Sequence, residues 1–599
     1  MAWYDEAVFY HIYPLGLAGA PKQNDYGEPV HRLNTLLPWV DHIKEIGGSA
    51  LYIGPLFESV GHGYETTDYK KLDSRLGTNE DLTAFVAYCH EQGIKVIFDG
   101  VFNHTGRDFF AFKDIQANRE NSHYKDWYCN VNFWGNNEYN DGFSYDNWGG
   151  YNLLVKLNQK NPAVVDYICD VIRFWVSEFD VDGIRLDAAD VLDFDFMKAL
   201  RRTANEVKPD FWLMGEVIHG DYSRWVNGET LHSVTNYTLH KALYSGHNDH
   251  NYFEIAHTVR RLQNMGTLKL YNFVDNHDVE RIYTKLTNKA HFAPVHVLLY
   301  TLPGVPSIYY GSEFGIEGRK EYGSDDSLKP ALNIEDYKDS VKTNPCTALI
   351  AALGKVRQAV PALSYGSYDE LMLTNRQFAY ARDLDGTRVI VSVNNDDAPA
   401  GMHLAAGNCT AYIGALSGEK VSVQDGHINI TQPANSGEIW VPEGTDLDVK
   451  PVKVVTKTDS EAKTNTEDKA ASETATDAKG NKEAEPKIES KESKDIVTAT
   501  ESADAKKNTT DIEKNTTAAN EVKDSAKDAS AQAAADTPVD PETITVDWSK
   551  SPESMTVPEL QAAILAKLAG NGPVDAQMKK TVVDNIWHDS LVNWLKSFR

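Results

Sequence analysis

Between residue 7 and about residue 360, short β-branched and aromatic runs alternate with longer stretches whose apolar residues recur at helical spacing. The short runs fall at residues 8–13, 50–55, 95–99, 183–187, 211–216, 233–237, 269–275 and 307–311, and they read as strands. The longer ones, at 33–46, 80–92, 162–178, 194–207 and 252–263, read as amphipathic helices. Strands separated by helices cannot close hairpins on one another, so they predict a parallel sheet. Eight such units in roughly 350 residues predict an α/β fold, a (β/α)8 TIM barrel enlarged by insertions.

The main insertion follows the third strand, at residues 104–158. It is rich in Asn, Asp, Gly and large aromatics, among them Trp127, Trp134, Trp148 and Tyr151. A structureless loop of that length is rare in a compact domain, so an inserted subdomain is expected. Each aromatic either packs this insert or presents a flat face to a ligand ring.

From about residue 365 the period shortens. Alternating runs at 378–382, 388–394, 410–413, 420–423, 427–431 and 438–441 predict a small antiparallel β-sandwich. After residue 441 no Phe, Tyr or Trp occurs until Trp548, and Lys, Glu, Asp, Thr, Ser and Ala dominate. Such a segment buries too little apolar surface to offset its ordering entropy and should be a disordered linker. Helical spacing resumes at residue 556, where Thr556 and Glu559 form a capping-box pattern. The expected organisation is a barrel at 1–360 containing the insert, a sandwich at 361–448, a linker at 449–543 and a small helical module at 544–599.

The module's second helix carries Trp587 and Trp594, seven residues apart and so close to one face. That stripe folds inward on Leu560, Ile564 and Leu568, docks on another protein or copy, or stacks on a ligand. Protein association is the role expected for it, because apolar stripes at this spacing usually serve as core or interface.

Acidic residues outnumber basic ones by 87 to 59, giving a net charge of −28. That sign argues against nucleic acid or an anionic membrane as partner and fits a neutral one. No apolar run approaches the roughly 20 residues that cross a bilayer. Cys89, Cys129, Cys169, Cys346 and Cys409 are odd in number and lack C-x-x-C spacing, which predicts neither a disulfide framework nor a zinc site. The first residues show no basic segment followed by an apolar one, so a cytoplasmic location is expected.

In a TIM barrel, functional residues gather at the C-terminal ends of strands. Four candidate strands end there in polar clusters: Asp99-Gly-Val-Phe-Asn103-His104, Gly183-Ile-Arg185-Leu-Asp187, Gly215-Glu216-Val217 and Val274-Asp275-Asn276-His277-Asp278. A carboxylate in an apolar barrel is costly unless paired or used. A structural ion pair explains any one of these; four in sequential positions point to a site.

In these segments the chain resembles the α-amylase superfamily, glycoside hydrolase family 13, in its neopullulanase, cyclomaltodextrinase and maltodextrin-glucosidase branch. The four clusters match that family's motif regions in order, and the resemblance spans residues 8–441. Gly61-His-Gly-Tyr64-Glu-Thr-Thr-Asp68-Tyr69 is similar to its motif after the second strand. Leu154-Val-Lys-Leu-Asn158-Gln-Lys-Asn161-Pro162 is similar to its fifth region, at the end of the insert. The resemblance implies a retaining α-glucoside hydrolase acting on starch-derived maltodextrins, with some transglycosylation. It makes Asp187 the nucleophile, Glu216 the proton donor and later base, and Asp278 a third carboxylate holding hydroxyls of the distorted sugar. His104 and His277 would donate to sugar hydroxyls, and Tyr64 would stack on the ring in the cleaved position. The insert's aromatics become candidate sugar platforms. Arg185, two residues before Asp187, would favour the ionised nucleophile, while Glu216 must hold its proton near neutrality through its negative neighbours. No cofactor is required; calcium is possible, with Asn103 as a ligand.

Departures from the family pattern bear on substrate and metal. Ala188 follows the nucleophile, where many α-1,4-acting relatives carry Thr and several isomaltose-acting ones Val. Asp190 and Val191 stand where typical α-amylases carry Lys-His, the His lending a backbone carbonyl to calcium; a carbonyl survives substitution, so this weakens the calcium case without removing it. The runner-up reading is a glucanotransferase or a sucrose- or trehalose-active relative that shares the covalent intermediate. A non-catalytic amylase-like binding protein typically lacks one of the three carboxylates, and all three are present. Limited proteolysis is expected to cut first between residues 451 and 543 and to leave an active core ending near Asp448; an inactive or insoluble core would contradict the linker reading.

Overall fold

A computed structural model of the chain describes residues 2–266, 268–321, 324–449, 451, 546, 550–551, 555–569 and 595. The predicted linker lies outside them apart from residues 449 and 451, as does the second tail helix with Trp587 and Trp594, apart from Leu595. Eight parallel strands build the first unit: β1 (Phe9–Ile12), β2 (Ala50–Ile53), β3 (Lys95–Gly100), β4 (Gly183–Leu186), β5 (Trp212–Gly215), β6 (Ser233–Val234), β7 (Tyr271–Phe273) and β8 (Val305–Tyr309). They run β6-β5-β4-β3-β2-β1-β8-β7 across one sheet. The ring closes where Thr235 bridges Tyr271, and the Asn236 N–H donates to the Tyr271 carbonyl at 2.9 Å. This is the predicted TIM barrel.

Nearly every strand residue is buried, because helices cover the outside and side chains fill the inside. Alternation assigns the two faces. Phe9, Ala50, Tyr52, Ile97, Trp212, Met214, Tyr271 and Phe273 form the inner core. Tyr10, Leu51, Ile53, Val96, Phe98, Ile184 and Leu213 belong to the larger core shared with the helices.

The surrounding helices start where the sequence supplies caps. Thr78 and Asp81 form a reciprocal capping box at helix Asn79–Glu91. Asn161 accepts from the Ala163 amide at helix Pro162–Phe179, and Asp193 from two amides at helix Phe194–Val207. Trp175 of the second of these stacks on Phe57 with centroids 4.5 Å apart, and its indole N–H donates to the Tyr69 carbonyl at 2.7 Å. Two sequence expectations shift. The helix expected at 33–46 is a 3-10 turn, Arg32–Leu36, followed by α-helix Leu37–Glu45, since Pro38 near its start cannot donate to a preceding carbonyl. The strand expected at 233–237 ends at Val234, because the Asn236 side chain caps helix Tyr237–Asn248.

The insert has its own three-stranded antiparallel sheet of His104–Thr105, Tyr151–Lys156 and Asn147–Trp148. Trp127 is buried within it, whereas Trp134 and Tyr151 are exposed.

After the barrel, six antiparallel strands and a separate pair, Ala400–Ala405 with His427–Gln432, enclose a core of Ala379, Ile390, Met402, Leu404, Tyr412, Ile428, Ile430 and Trp440. Sequence alternation missed Ser367–Leu373, whose register shifts between Glu370 and Met372, and Ala400–Ala405. Arg382 from this sandwich donates to the Thr301 carbonyl at 2.6 Å, fastening it to a barrel helix.

In the second unit, helix Val557–Ala569 begins with the expected cap: the Thr556 N–H donates to Glu559 at 2.7 Å. Met555, Leu560, Ala563, Ile564, Leu565 and Leu595 form its buried cluster.

Gly183 opens β4 against β5 with no room for a side chain. A Cβ there would lie 2.5 Å from the Trp212 carbonyl oxygen and 2.9 Å from Ile97 Cγ2. Gly183→Ala should lower the urea midpoint by an amount equivalent to about 1–3 kcal/mol with an unchanged slope; an unshifted midpoint would show that the barrel yields at this seam.

Candidate active site

The C-terminal ends of β3, β4 and β5 bring four charged side chains together. Asp99 and Arg185 are register partners across β3 and β4. The Asp187 N–H donates to Gly100 and the Glu216 N–H to Leu186, which continues the parallel ladder one residue beyond the strands. Side chains two apart on a strand share a face, so Asp99, Arg185 and Asp187 all point the same way.

Arg185 is the hub. Its Nη1 donates to Asp99 Oδ1 and to Asp187 Oδ1, both at 2.8 Å. Its Nη2 lies 2.8 Å from Glu216 Oε2, which also accepts the Ala188 N–H at 3.1 Å. Ala188 reaches that position with a left-handed backbone, φ 47°, a conformation that costs an L-residue roughly 1–2 kcal/mol. The guanidinium is buried and held well above its ordinary range: burial opposes its charge, but Asp99 and Glu216 outweigh it.

The two buried aspartates carry the corresponding strain. Burial pushes Asp187 well above the usual carboxylate range; Arg185 pulls it down, and Glu216 and Asp99 push it up again. Asp99 is raised for the same first reason, with Arg185 and Tyr52 opposing. Arg185 thus favours an ionised Asp187, as expected, yet burial dominates.

A second layer joins the remaining predicted residues. The Tyr64 hydroxyl contacts Asp99 Oδ2 at 3.2 Å and also His277 Nε2, and its ring stacks on His277 with centroids 5.7 Å apart. His277 Nε2 lies 3.2 Å from Asp278 Oδ2, and that carboxylate is 40% exposed, facing the opening. Burial, then Arg185, Lys329 and Lys320, hold His277 well below the usual imidazole range. His104 is lowered to about 4 by burial, and its Nε2 lies 3.2 Å from the Tyr64 carbonyl oxygen.

Three participants carried no role in the sequence reading. Asp99 stood inside a quoted motif, and only the strand register shows that it faces Arg185. Tyr52 donates to Asp99 Oδ2 at 2.8 Å and stacks on His11 with centroids 4.0 Å apart. Tyr237 accepts from the Asn276 side chain at 3.2 Å. Both tyrosines lay in runs read as apolar strand, where nothing distinguishes a core aromatic from a buried hydroxyl donor.

Asn103, the candidate calcium ligand, is fully buried, and its Oδ1 has no hydrogen-bond partner. One unpaired amide oxygen suits a cation, but calcium takes roughly six to eight oxygens. Among the described residues no group of three or more His, Cys, Asp or Glu could hold a metal. The side-chain donor set does not fit a calcium site.

Comparison with known proteins matches the chain to a family. The model of the alpha-amylase catalytic domain matches residues 32–354. The chain belongs to the α-amylase family. It is a glycoside hydrolase, and its barrel, insert and sandwich follow the family's arrangement. A cyclomaltodextrinase of a Bacillus species is 31% identical over 422 residues, covering 66% of this chain and 74% of that protein. Neopullulanase 2 of Thermoactinomyces vulgaris is 29% identical over 473 residues, covering 73% and 78%. The solved debranching enzyme of Nostoc punctiforme superposes with a TM-score of 0.63 at 25% identity, covering 73% of this chain and 98% of that one. Among the described residues of this α-amylase family member, no helix is long and apolar enough to cross a membrane.

Replacing Arg185 by Gln would leave Asp99, Asp187 and Glu216 without their shared cation. Removing one partner of a buried ion pair costs about 3–5 kcal/mol, and that loss is expected at pH 7. Because the folded-state pKa values of Asp99 and Asp187 are raised above their unfolded values, the folded variant binds more protons as pH falls, and stability recovers toward pH 4. Urea midpoints at pH 7 and pH 5 check this; a variant that loses further stability at pH 5 would contradict the assigned electrostatics.

Proposed function

We propose that this chain is a retaining α-glucoside hydrolase of starch-derived maltodextrins, with Asp187 as nucleophile and Glu216 as acid/base. The observation that carries the reading is the single Arg185 guanidinium touching both carboxyls. One guanidinium fork spans only a short distance. It therefore keeps the two carboxyls near each other, and double displacement uses a pair about 5–5.5 Å apart. The printed names of the relatives, cyclomaltodextrinase and neopullulanase, support linear and cyclic maltodextrins as the substrate class.

In the first step, the Asp187 carboxylate attacks the anomeric carbon as the glycosidic C–O bond breaks, and Glu216 gives its proton to the departing oxygen. In the second, Glu216 takes a proton from water, whose oxygen attacks the same carbon and releases Asp187, so configuration is retained. Arg185 holds both carboxyls and offsets the buried negative charge. Asp278, half-exposed beside neutral His277, takes hydroxyls of the distorted ring. His104, neutral above about pH 4, contributes hydrogen bonding rather than a charge. Tyr64 offers the stacking face. No step requires a cofactor.

The proposed working unit is the barrel at 1–360 with its insert at 104–158 and the sandwich at 361–448. Module 544–599 is proposed to associate with protein, and its buried cluster around Leu560 and Ile564 supports a folded element there. A cytoplasmic location is proposed from the five cysteines, odd in number and without paired spacing.

Asp187→Asn and Glu216→Gln should each lower kcat on maltotetraose by roughly 10³-fold or more while leaving the unfolding transition in place. A variant within about tenfold of wild type would remove the assigned roles. Time-resolved NMR should show the α-anomer first, and an initial β product would rule out the double displacement. Chromatography of products from maltotetraose, a cyclodextrin, sucrose and trehalose separates water from sugar as the attacking group.

A further inference from the structure

The insert carries an aromatic surface that the proposed reaction does not use. Trp134 is 98% exposed, whereas the adjacent Phe133 packs inward, 5.7 Å from Phe143 and 5.6 Å from the Arg119 guanidinium. The hairpin beneath Trp134 is firm. Asn132 and Ser144 exchange two backbone hydrogen bonds, at 2.8 and 2.9 Å, and the Trp134 N–H donates to Asn132 Oδ1 at 3.0 Å. Gly135 lies so close to the facing strand that a Cβ would come within 2.3 Å of Ser144 Oγ. The indole is therefore held out into solvent on a fixed turn.

Beside it opens a hollow of about 670 Å³ whose rim includes Glu120, Asn130, Asn132, Ser144 and Asp146. Small-molecule sites are usually about 300–1,000 Å³ in volume. The Asn130 amide donates to Asp146 Oδ2 at 2.8 Å, which sets two planar polar groups edge to edge. Amides, a hydroxyl and carboxylates beside a flat apolar ring match a sugar: hydroxyls donate to the rim while the C–H face of the pyranose covers the indole. The carboxylates repel a phosphate backbone, and Val131, Phe133 and Tyr145 between the polar groups give the hollow the mixed lining that a sugar ring, apolar on its faces and polar at its edge, requires.

We propose that Trp134 and this hollow bind an α-glucan segment away from the cleaved bond, giving long substrates a second attachment point. This rests on the hydrolase reading above. The insert leaves the barrel at the C-terminal end of β3, and its strand Tyr151–Lys156 pairs with His104–Thr105 beside the active site. A chain held on the insert is thus tethered to the face where bonds are cut, and a second contact raises its effective concentration without any change in the cleft.

The test runs the full chain through native gels containing glycogen, in the Asp187→Asn background so that the polymer is not digested. Maltotriose hydrolysis is measured in parallel in the wild-type background. Trp134→Ala should weaken the apparent affinity for glycogen by about tenfold. Trp134→Phe should keep most of it, and kcat/KM on maltotriose should stay within about twofold. Equal retardation of Trp134→Ala and its parent would overturn the proposal. So would a change in sedimentation mass with unchanged retardation, which would mark a protein contact instead. If the wild-type chain fails to cleave maltotriose or glycogen, the hydrolase reading falls, and the gel shift still decides whether Trp134 holds glucan.

Discussion

Asp99, Asp187 and Glu216 converge in a space from which water is largely excluded, and the Arg185 guanidinium holds them there. Two buried carboxyls and a partly buried third, Glu216, crowd around one cation, an arrangement that a folded chain ordinarily avoids. The planar fork of arginine makes the arrangement tolerable, because it meets several oxygens at once without ever losing its proton. A lysine would present a single point of charge and could not span Asp99 on one side and Glu216 on the other. The residual strain remains in the aspartates, where burial raises the proton affinity of Asp187, the proposed nucleophile. Such tension between stability and chemistry is a common mark of functional sites.

The rest of the barrel keeps that geometry fixed. Strand register puts Asp99 opposite Arg185, so the hub does not depend on a loop. Ala188 in its left-handed conformation turns the chain immediately after Asp187 and aims an amide at Glu216. Around this centre Tyr52, Tyr64 and His277 form a neutral shell whose hydrogen bonds end on Asp99 and Asp278. The shell extends the site toward solvent without adding another buried charge. The insert is attached at the same rim, through the pairing of Tyr151–Lys156 with His104–Thr105.

Much of the fold was legible in the sequence because a parallel barrel buries both faces of its strands. Continuous apolar runs separated by amphipathic helices have few other readings. Legibility failed where local chemistry overrode pattern: at Pro38, which delays a helix, at Asn236, which caps one inside an expected strand, and at the register shift in Ser367–Leu373. The antiparallel strands were also less visible than the parallel ones, since short half-buried strands carry a weaker signal.

By itself the sequence determined the barrel, its insert and the identity of the polar residues at four strand ends, because burial periodicity and charge at strand termini are local properties of the chain. It also named Asp187, Glu216, Asp278, Tyr64, His104 and His277 through family motifs. The tertiary structure decided which of these touch. Asp99 and Arg185 are 86 residues apart in the chain and 2.8 Å apart in space, and no local pattern encodes that meeting. It likewise decided which aromatics of the insert are core and which are surface: Trp127 and Trp134 lie seven residues apart in similar composition, yet one is buried and the other is 98% exposed. That division depends on partners distant in the chain: Trp127 packs on Phe110 and on Tyr167 of helix Pro162–Phe179, at 5.8 and 5.5 Å, while the hairpin turns Phe133 inward onto Phe143 and leaves Trp134 outside.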